Sequence, residues 1–534
     1  MTLAIVLLII VVCIAEAHAE RKRRRQEAVK TAAEYETDRT FVSSEWASDD
    51  DLRRAGCFIN NGFPAGFTAL GKQIFFPGKR RPHGFVFGST GSGKSTTCLI
   101  NVLLSWKDAL ICFDIFGELA VVCARARLKH GPVKILAPYM VYEDELAEFP
   151  RVGLNPLSPR WIDPANRNMV GIRCAKLASA IVLKEDHVAE QYWANTSRQL
   201  VTVVIICVVL YSPEHLRNLA TVASIIMGDV FGFARKMMEV SDDAFVREKL
   251  SRYAVRPADQ DVKSLREVVE SARTEVEFLT EPAVTDFISR DELDPADIMH
   301  GSASVFVIQP QEVVKEMTRF RRLIATCFLG RFMREDGAYA TPTLLLIDEL
   351  YRLGHLEELD LAFTTVRKLN LRIYASIPSA GLLQQLYPQS YKAILDSCGL
   401  KQWCDCNSDD SEFLSALCGE REITRRTKSL NWSPAFNYQD PRDIDLQNLH
   451  VTNNNTTERV PLIRPHELRQ NLGADGQIML MADVAKPILA KRQPYFKISS
   501  LRALARPNPF HSGKRVNQRI AVKGNDDWKK LLME

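Results

Sequence analysis

The chain has 534 residues, 46% of them hydrophobic and 25% charged, with a formal net charge of +4. That is ordinary globular composition, enough for roughly two or three domains with sizeable cores. A balance so near neutral excludes a molecule that clamps nucleic acid through its charge as a whole; any such contact must rest on local patches or a pore. In chain order, the first feature is the apolar run Leu3 to Ala15 followed by Arg21-Lys22-Arg23-Arg24-Arg25. At about 13 residues the run is short for a span. Three readings compete. Ala17-His18-Ala19 suggests a cleaved signal peptide, yet no basic residue precedes the run. A buried helix is the second. A membrane anchor over 1–20 with its basic flank in the cytoplasm satisfies the positive-inside rule and is the reading carried forward. Glu16 and Glu20 make it marginal alone, or the tail of a longer anchor. Residues 21–55 are charged at first and lack apolar periodicity, so they read as a linker.

The core is expected from 56 onward, and its first signal is the strongest in the chain. Phe85-Val86-Phe87 leads into Gly88-Ser-Thr-Gly-Ser-Gly93-Lys94-Ser95, a complete G-x-x-x-x-G-K-S loop between a strand and a helix. Glycines let backbone N–H groups wrap a polyphosphate, and the helix N-terminus adds unpaired donors. Gly88, Ser89, Thr90, Gly91, Ser92, Gly93, Lys94, Ser95 and Thr96 are therefore the expected ATP-binding residues. Lys94 should reach the β- and γ-phosphates, and Ser95 should ligand Mg2+.

Asp108 to Phe113 and Val133 to Leu136 read as further strands, alternating with helix-length segments as in a parallel sheet. The pattern then turns helical, giving an expected all-α insert over 161–300 between core segments 56–160 and 301–505. Leu200 to Leu210 resembles a span but, at about 11 apolar residues, reads as a buried helix. Strand character returns at Ser304 to Ile308. Thr343-Leu-Leu-Leu-Ile347-Asp348-Glu349 then reads as an interior strand ending in two carboxylates. Asp348 would hold Mg2+ through water and Glu349 would polarise an attacking water. Leu371 to Ala375 is another strand, 423–458 reads as a long polar loop, and Gln477 to Met481 with the stretch through Tyr495 reads as a final strand pair. Residues 506–534 read as a basic flexible tail. The 12 cysteines lie mostly in apolar runs, which suits a reducing compartment. Cys404-Asp405-Cys406, with Cys398 and Cys418 nearby, lacks zinc-ligand spacing and reads as buried thiols. Arg421, Arg425, Arg426 and Lys428 form a basic cluster that reads first as a solvated face and second as a phosphate contact.

Several blocks together resemble the TraG/TraD-type coupling proteins of type IV secretion and conjugation. Asp114-Ile-Phe-Gly117-Glu118 is similar to that family's Asp-x-Lys-Gly-Glu segment. Asn155-Pro156-Leu157 resembles the opening of its helical insert, and Tyr192-Trp193 an aromatic pair there. Ile347-Asp348-Glu349-Leu350 with Leu353-Gly354 looks like its second nucleotide motif. Arg459-Val-Pro-Leu-Ile-Arg-Pro465-x-Glu467-Leu468 looks like its C-terminal segment. The resemblance covers most of 80–500. It implies a membrane-anchored, RecA-like α/β P-loop ATPase at the bacterial inner membrane, assembled as a homo-hexamer. Its implied partners are DNA with bound relaxase, or secreted protein, and components of the secretion channel. Arg367 falls where the family carries an arginine that reaches a neighbouring subunit's γ-phosphate; a surface helical arginine is the alternative.

Two departures stand out. Where the family has a γ-phosphate-sensing Gln, this chain reads Ser376-Ile377-Pro378-Ser379, so the contact is lost or passes to Ser376 or Ser379. Phe116 stands in place of the family Lys. The leading expectation is an ATP-hydrolysing coupling protein for conjugative DNA transfer. A nucleotide-binding recruitment adaptor with weak hydrolysis and an FtsK/HerA-type DNA translocase are the alternatives.

Overall fold

A computed structural model describes residues 43–183, 188–255, 262–334, 342–365, 370–432 and 449–510. The expected anchor 1–20, most of the linker, Arg367 and most of the expected tail lie outside them. The chain divides into two units, Trp46–Ser415 with Ile463–Glu534, and Met1–Glu45 with Ala416–Leu462.

The larger unit is built on one eleven-stranded sheet. Its strands are β1 (Phe63–Phe67), β2 (Gln73–Phe76), β3 (His83–Phe87), β4 (Leu110–Asp114), β5 (Val133–Leu136), β6 (Ser304–Ile308), β7 (Thr343–Ile347), β8 (Leu371–Ile377) and β9 (Cys398–Trp403), with two more near the C-terminus. The order β9-β3-β8-β7-β4-β6-β5 is parallel throughout. Every residue of β3, β4, β6 and β7 is buried, as continuous apolar runs require when both faces are covered. The resulting class is α/β with a mainly parallel central sheet. Antiparallel strands extend one edge from β9.

Strand β9 carries no continuous apolar run in sequence. The Gln402 side chain in β9 is buried and satisfied: its Nε2 donates to Ala65 O at 2.8 Å, and its Oε1 accepts from Tyr374 Oη at 2.5 Å. Between β5 and β6 the described residues form helices, apart from an isolated bridge from Ile135 to Arg151. One of these helices, Val188–Tyr211, contains a stretch, Gln191–Tyr211, long and apolar enough to cross a membrane. Its Leu200, Val201, Val204 and Ile205 are fully buried inside the protein, as expected for the apolar run 200–210.

The smaller unit corrects the reading of 423–458 as a loop. Strands β10 (Glu420–Trp432) and β11 (Leu449–Pro461) pair antiparallel, from Glu420 opposite Pro461 to Trp432 opposite Leu449. A two-stranded ribbon need not show the apolar alternation by which a half-buried strand is recognised, so polarity alone misled. In the larger unit, β12 (Gly476–Met481) and β13 (Ile488–Lys491) form the final antiparallel pair. Just beyond them, Arg506 N donates to Val122 O at 3.0 Å and Asn508 Nδ2 to Glu118 Oε1 at 2.6 Å, tying down the start of the C-terminal segment.

Candidate nucleotide site

Strand β3 aims the glycine-rich loop out of the sheet. Stacked rings support it from beneath: Phe87 lies 4.7 Å from Trp403 of β9 and 5.6 Å from Phe85. The loop turns through Gly91 and Gly93, whose φ values of +82° and +81° disfavour any residue with a Cβ. At Gly88 a Cβ would stand 2.7 Å from Ser92 Oγ. The helix α1 (Ser95–Ser105) follows at once, its first turn wound as a π-helix over Ser95–Leu99. Thr97 Oγ1 and Thr96 Oγ1 donate to Gly93 O at 2.7 and 3.2 Å and hold the loop on the helix. Ser89 Oγ donates to the Asp405 carboxylate just past β9.

Lys94 folds back over the loop, and its Nζ donates to Gly88 O at 2.6 Å and Ser89 O at 2.9 Å. The ammonium thus lies on the loop it would leave to meet a phosphate. Ser92 Oγ is buried with no partner among the described residues. A left-handed glycine turn, a lysine resting on loop carbonyls and a helix N-terminus make a cradle that fits a polyphosphate.

The second motif lies two strands away, across β8. Asp348 follows β7 and is 6% exposed. Ser376 Oγ, from β8, donates to Asp348 Oδ1 at 2.7 Å and accepts from Glu349 N at 2.9 Å. Burial raises the Asp348 carboxyl to about 6, against the Ser376 hydrogen bond, which lowers it; Glu349 adds to the rise and Lys94 opposes it. A desolvated carboxylate within electrostatic reach of Lys94 fits a divalent cation beside a phosphate. Next along the sheet, Asp114 ends β4. Its Oδ2 accepts from Ala120 N at 2.7 Å, in the first turn of α2 (Glu118–Arg127). Burial, with Asp348 and Glu118 adding charge, pushes its carboxyl well above the ordinary range.

Glu349 sits in the left-handed region at φ 50°, ψ 59°. Its carboxylate pairs with Arg352 Nε and accepts from Tyr351 Oη at 3.3 Å. The Arg352 guanidinium in turn lies 5.6 Å from the centre of the Phe116 ring. The aromatic residue in the family's Lys position is therefore a shelf for a different cation. Of the two serines weighed as substitutes for the family Gln, Ser376 is bound to Asp348 and Glu349. Ser379 caps a helix by accepting from Leu382 N at 3.1 Å. Pro378 touches the loop through its backbone, accepting from Gly88 N at 3.1 Å.

The fold thus brings Gly88–Thr96, Asp348 and Glu349 to the C-terminal ends of the parallel strands β3 and β7, separated by β8, where open α/β sheets bind ligands. Elsewhere, Asn155 is buried and bridges Arg217 O and Leu157 N. Tyr192 and Trp193 pack edge to face at 5.2 Å, and Pro465 opens a helix whose Leu468 is buried. The described cysteines are buried and form no disulfide among themselves, and no metal-binding cluster occurs among the described residues. Sequence reasoning missed Asp405 and Arg492, whose partners lie hundreds of positions away, and Arg352, which pairs locally with Glu349 but reaches Phe116 across the fold.

Residues 26–518 match the family described as Type IV secretory system Conjugative DNA transfer. The chain is 24% identical over 447 residues to a type IV secretion system-coupling protein VirD4 of Bartonella quintana, covering 82% of this chain and 66% of that protein. It is 23% identical over 441 residues to a conjugal transfer protein TraG of Agrobacterium fabrum, covering 80% and 62%. The chain therefore spans a little under two thirds of the length of these relatives. The bacterial conjugative coupling protein TrwB, lacking its first 70 residues, matches in fold with a TM-score of 0.59 and 17% identity over 85% of this chain and 94% of that one. TrwB has also been solved with ADP and Mg2+; that structure matches with a TM-score of 0.56, 16% identity and coverage of 85% and 94%.

Proposed function

The chain belongs to the type IV secretory system conjugative DNA transfer family, and from that membership we propose that it is an ATP-hydrolysing coupling protein. It recruits DNA with bound relaxase, or protein cargo, to a type IV secretion channel at the bacterial inner membrane. Conjugative DNA is the cargo favoured here, and a homo-hexamer anchored through residues 1–20 is the assembly. The observation that carries the reading is the meeting of Lys94 and the Asp348-Glu349 pair on one edge of the sheet, close enough for Lys94 to bear on the Asp348 charge.

In this reading the backbone of Gly88–Thr96 wraps the phosphates, and Lys94 exchanges Gly88 O and Ser89 O for phosphate oxygens. Ser95 and Asp348 hold Mg2+, which when bound neutralises phosphate charge. Ser376 keeps Asp348 ionised and fixes the backbone of Glu349. Glu349, once released from Arg352, orients water and accepts its proton. Arg367 is the trans-acting arginine by resemblance alone. Replacing the protein with Lys94→Ala in a donor cell tests the proposal: DNA transfer should collapse, and full transfer would sink it.

A second reading has two observations in its favour. The Glu349 carboxylate is already engaged by Arg352, and no Gln stands beside the loop at the end of β8. A recruitment adaptor that binds nucleotide and hydrolyses it weakly would tolerate both. Transfer unaffected by Glu349→Gln but abolished by deleting 161–300 would favour it.

A further inference from the structure

Arg492 lies just past β13 and is 3% exposed. Its guanidinium fork reaches three separate segments. Nη1 donates to Ser92 O in the glycine-rich loop at 2.6 Å. Nη2 donates to Cys404 O beyond β9 at 3.0 Å and to Ala474 O at 3.2 Å. Nε donates to Gly476 O at the start of β12 at 2.9 Å. These four acceptors are all backbone carbonyls, so none brings a formal negative charge to offset the buried cation.

The bond to Ser92 O has a geometric consequence. The Ser92–Gly93 peptide is trans, like every described peptide bond. In a trans peptide the C=O and the following N–H point in opposite directions. Holding Ser92 O toward Arg492 therefore directs the Gly93 N–H away from it, the direction a phosphate cradle needs. Gly93 itself, at φ +81°, has little torsional preference to hold that orientation alone. A guanidinium suits the task because its planar donors are pre-set, whereas an ammonium cannot span the same four acceptors. Its permanent charge, shielded from water, also adds positive potential behind the loop.

We propose that Arg492 is a positioning residue for nucleotide: it sets the Ser92–Gly93 peptide so that the loop accepts phosphate, and makes the C-terminal pair β12–β13 part of the binding site. The proposal rests on the reading of this loop as a nucleotide site. The same contacts seen as a mere brace would affect stability and leave the affinity of folded protein unchanged.

The test is titration of the full-length protein with a fluorescent ADP analogue, alongside steady-state turnover and thermal unfolding without nucleotide. Arg492→Lys keeps the charge and loses the fork; its dissociation constant should rise about 10-fold, the equivalent of one charge-assisted hydrogen bond. Arg492→Met should raise it by about 100-fold. KM should rise in parallel, with kcat at saturation within about threefold of wild type. Folded variants whose dissociation constant stays within about twofold of wild type, whatever their melting temperature, would overturn the inference. Should Arg492→Met fail to fold, Arg492→Lys decides. Wild-type protein that binds no nucleotide would instead remove the functional reading beneath it, and Lys94→Ala gives the background for loss of loop binding.

Discussion

Ser376→Ala is the most revealing small perturbation of the site. Ser376 is fully buried, and its hydroxyl donates to Asp348 Oδ1 at 2.7 Å while accepting from Glu349 N at 2.9 Å. Deleting one oxygen leaves a buried carboxylate oxygen and a backbone N–H each short of a partner. At about 1–3 kcal/mol per unmet group, the protein should lose about 3 kcal/mol of stability. The second effect concerns charge. Burial already lifts Asp348 to about 6, and the Ser376 bond is the largest influence pulling it down. Removing a donor to the charged form raises the carboxyl further, by one unit for about each 1.4 kcal/mol lost. The acid limb of the ATPase pH–rate profile should therefore move to higher pH by about one unit or more. Ser376→Cys, with a weak donor, should fall between. Guanidinium denaturation measures the first effect and turnover between pH 5.5 and 9 the second. A variant with an unchanged midpoint and an unchanged acid limb would refute the reasoning.

Three further outcomes follow from other residues. Glu349→Gln should lower kcat by about 10²–10⁴ while leaving nucleotide affinity near wild type if, as proposed, the carboxylate acts on water rather than on the phosphate cradle; equal losses of binding and turnover would contradict that role. Burial, with Arg372 nearby, pushes the His83 imidazole down to about 4, and its Nδ1 accepts from Ile373 N at 3.1 Å. The unfolded chain binds this proton first, so stability should fall by about 3 kcal/mol as pH drops from 6.5 to 4, and His83→Asn should flatten that stretch of a denaturation-versus-pH series. Arg127 is 1% exposed, with Nε donating to Ser304 Oγ at 2.9 Å and its Nη atoms donating to Trp106 O and Asp108 O. Arg127→Met strands three acceptors and should cost about 3 kcal/mol, read as a lower denaturation midpoint with little change in nucleotide affinity.

What could be read from sequence divides along a physical line. Strands β6 and β7 fall at the bounds their apolar runs predict, because a parallel strand covered on both faces is apolar nearly throughout, and the edge strand β5 does so despite Lys134. The order strand, glycine-rich turn, helix around Gly88–Ser95 is equally local and appears as expected. Features resting on partners far along the chain were not legible. Strand β9 hides behind Gln402, whose amide is satisfied by Ala65 O and Tyr374 Oη only once the sheet forms. The sequence of the ribbon β10–β11 is too polar to read as a half-buried strand. The site follows the same rule. Lys94 and Asp348 belong to linear motifs, whereas Arg492 reaches Ser92 from 400 positions away and Arg352 acquires meaning only beside Phe116 and Glu349.

The central claim is that this chain turns over ATP to move or recruit a conjugative substrate. The most direct measurement is ATP turnover by the full-length protein with and without single-stranded and double-stranded DNA, using Glu349→Gln as the matched control. DNA-stimulated turnover that disappears in Glu349→Gln is the predicted result. Tight nucleotide binding without turnover under any condition, assembled protein included, would contradict it and leave the adaptor reading in its place.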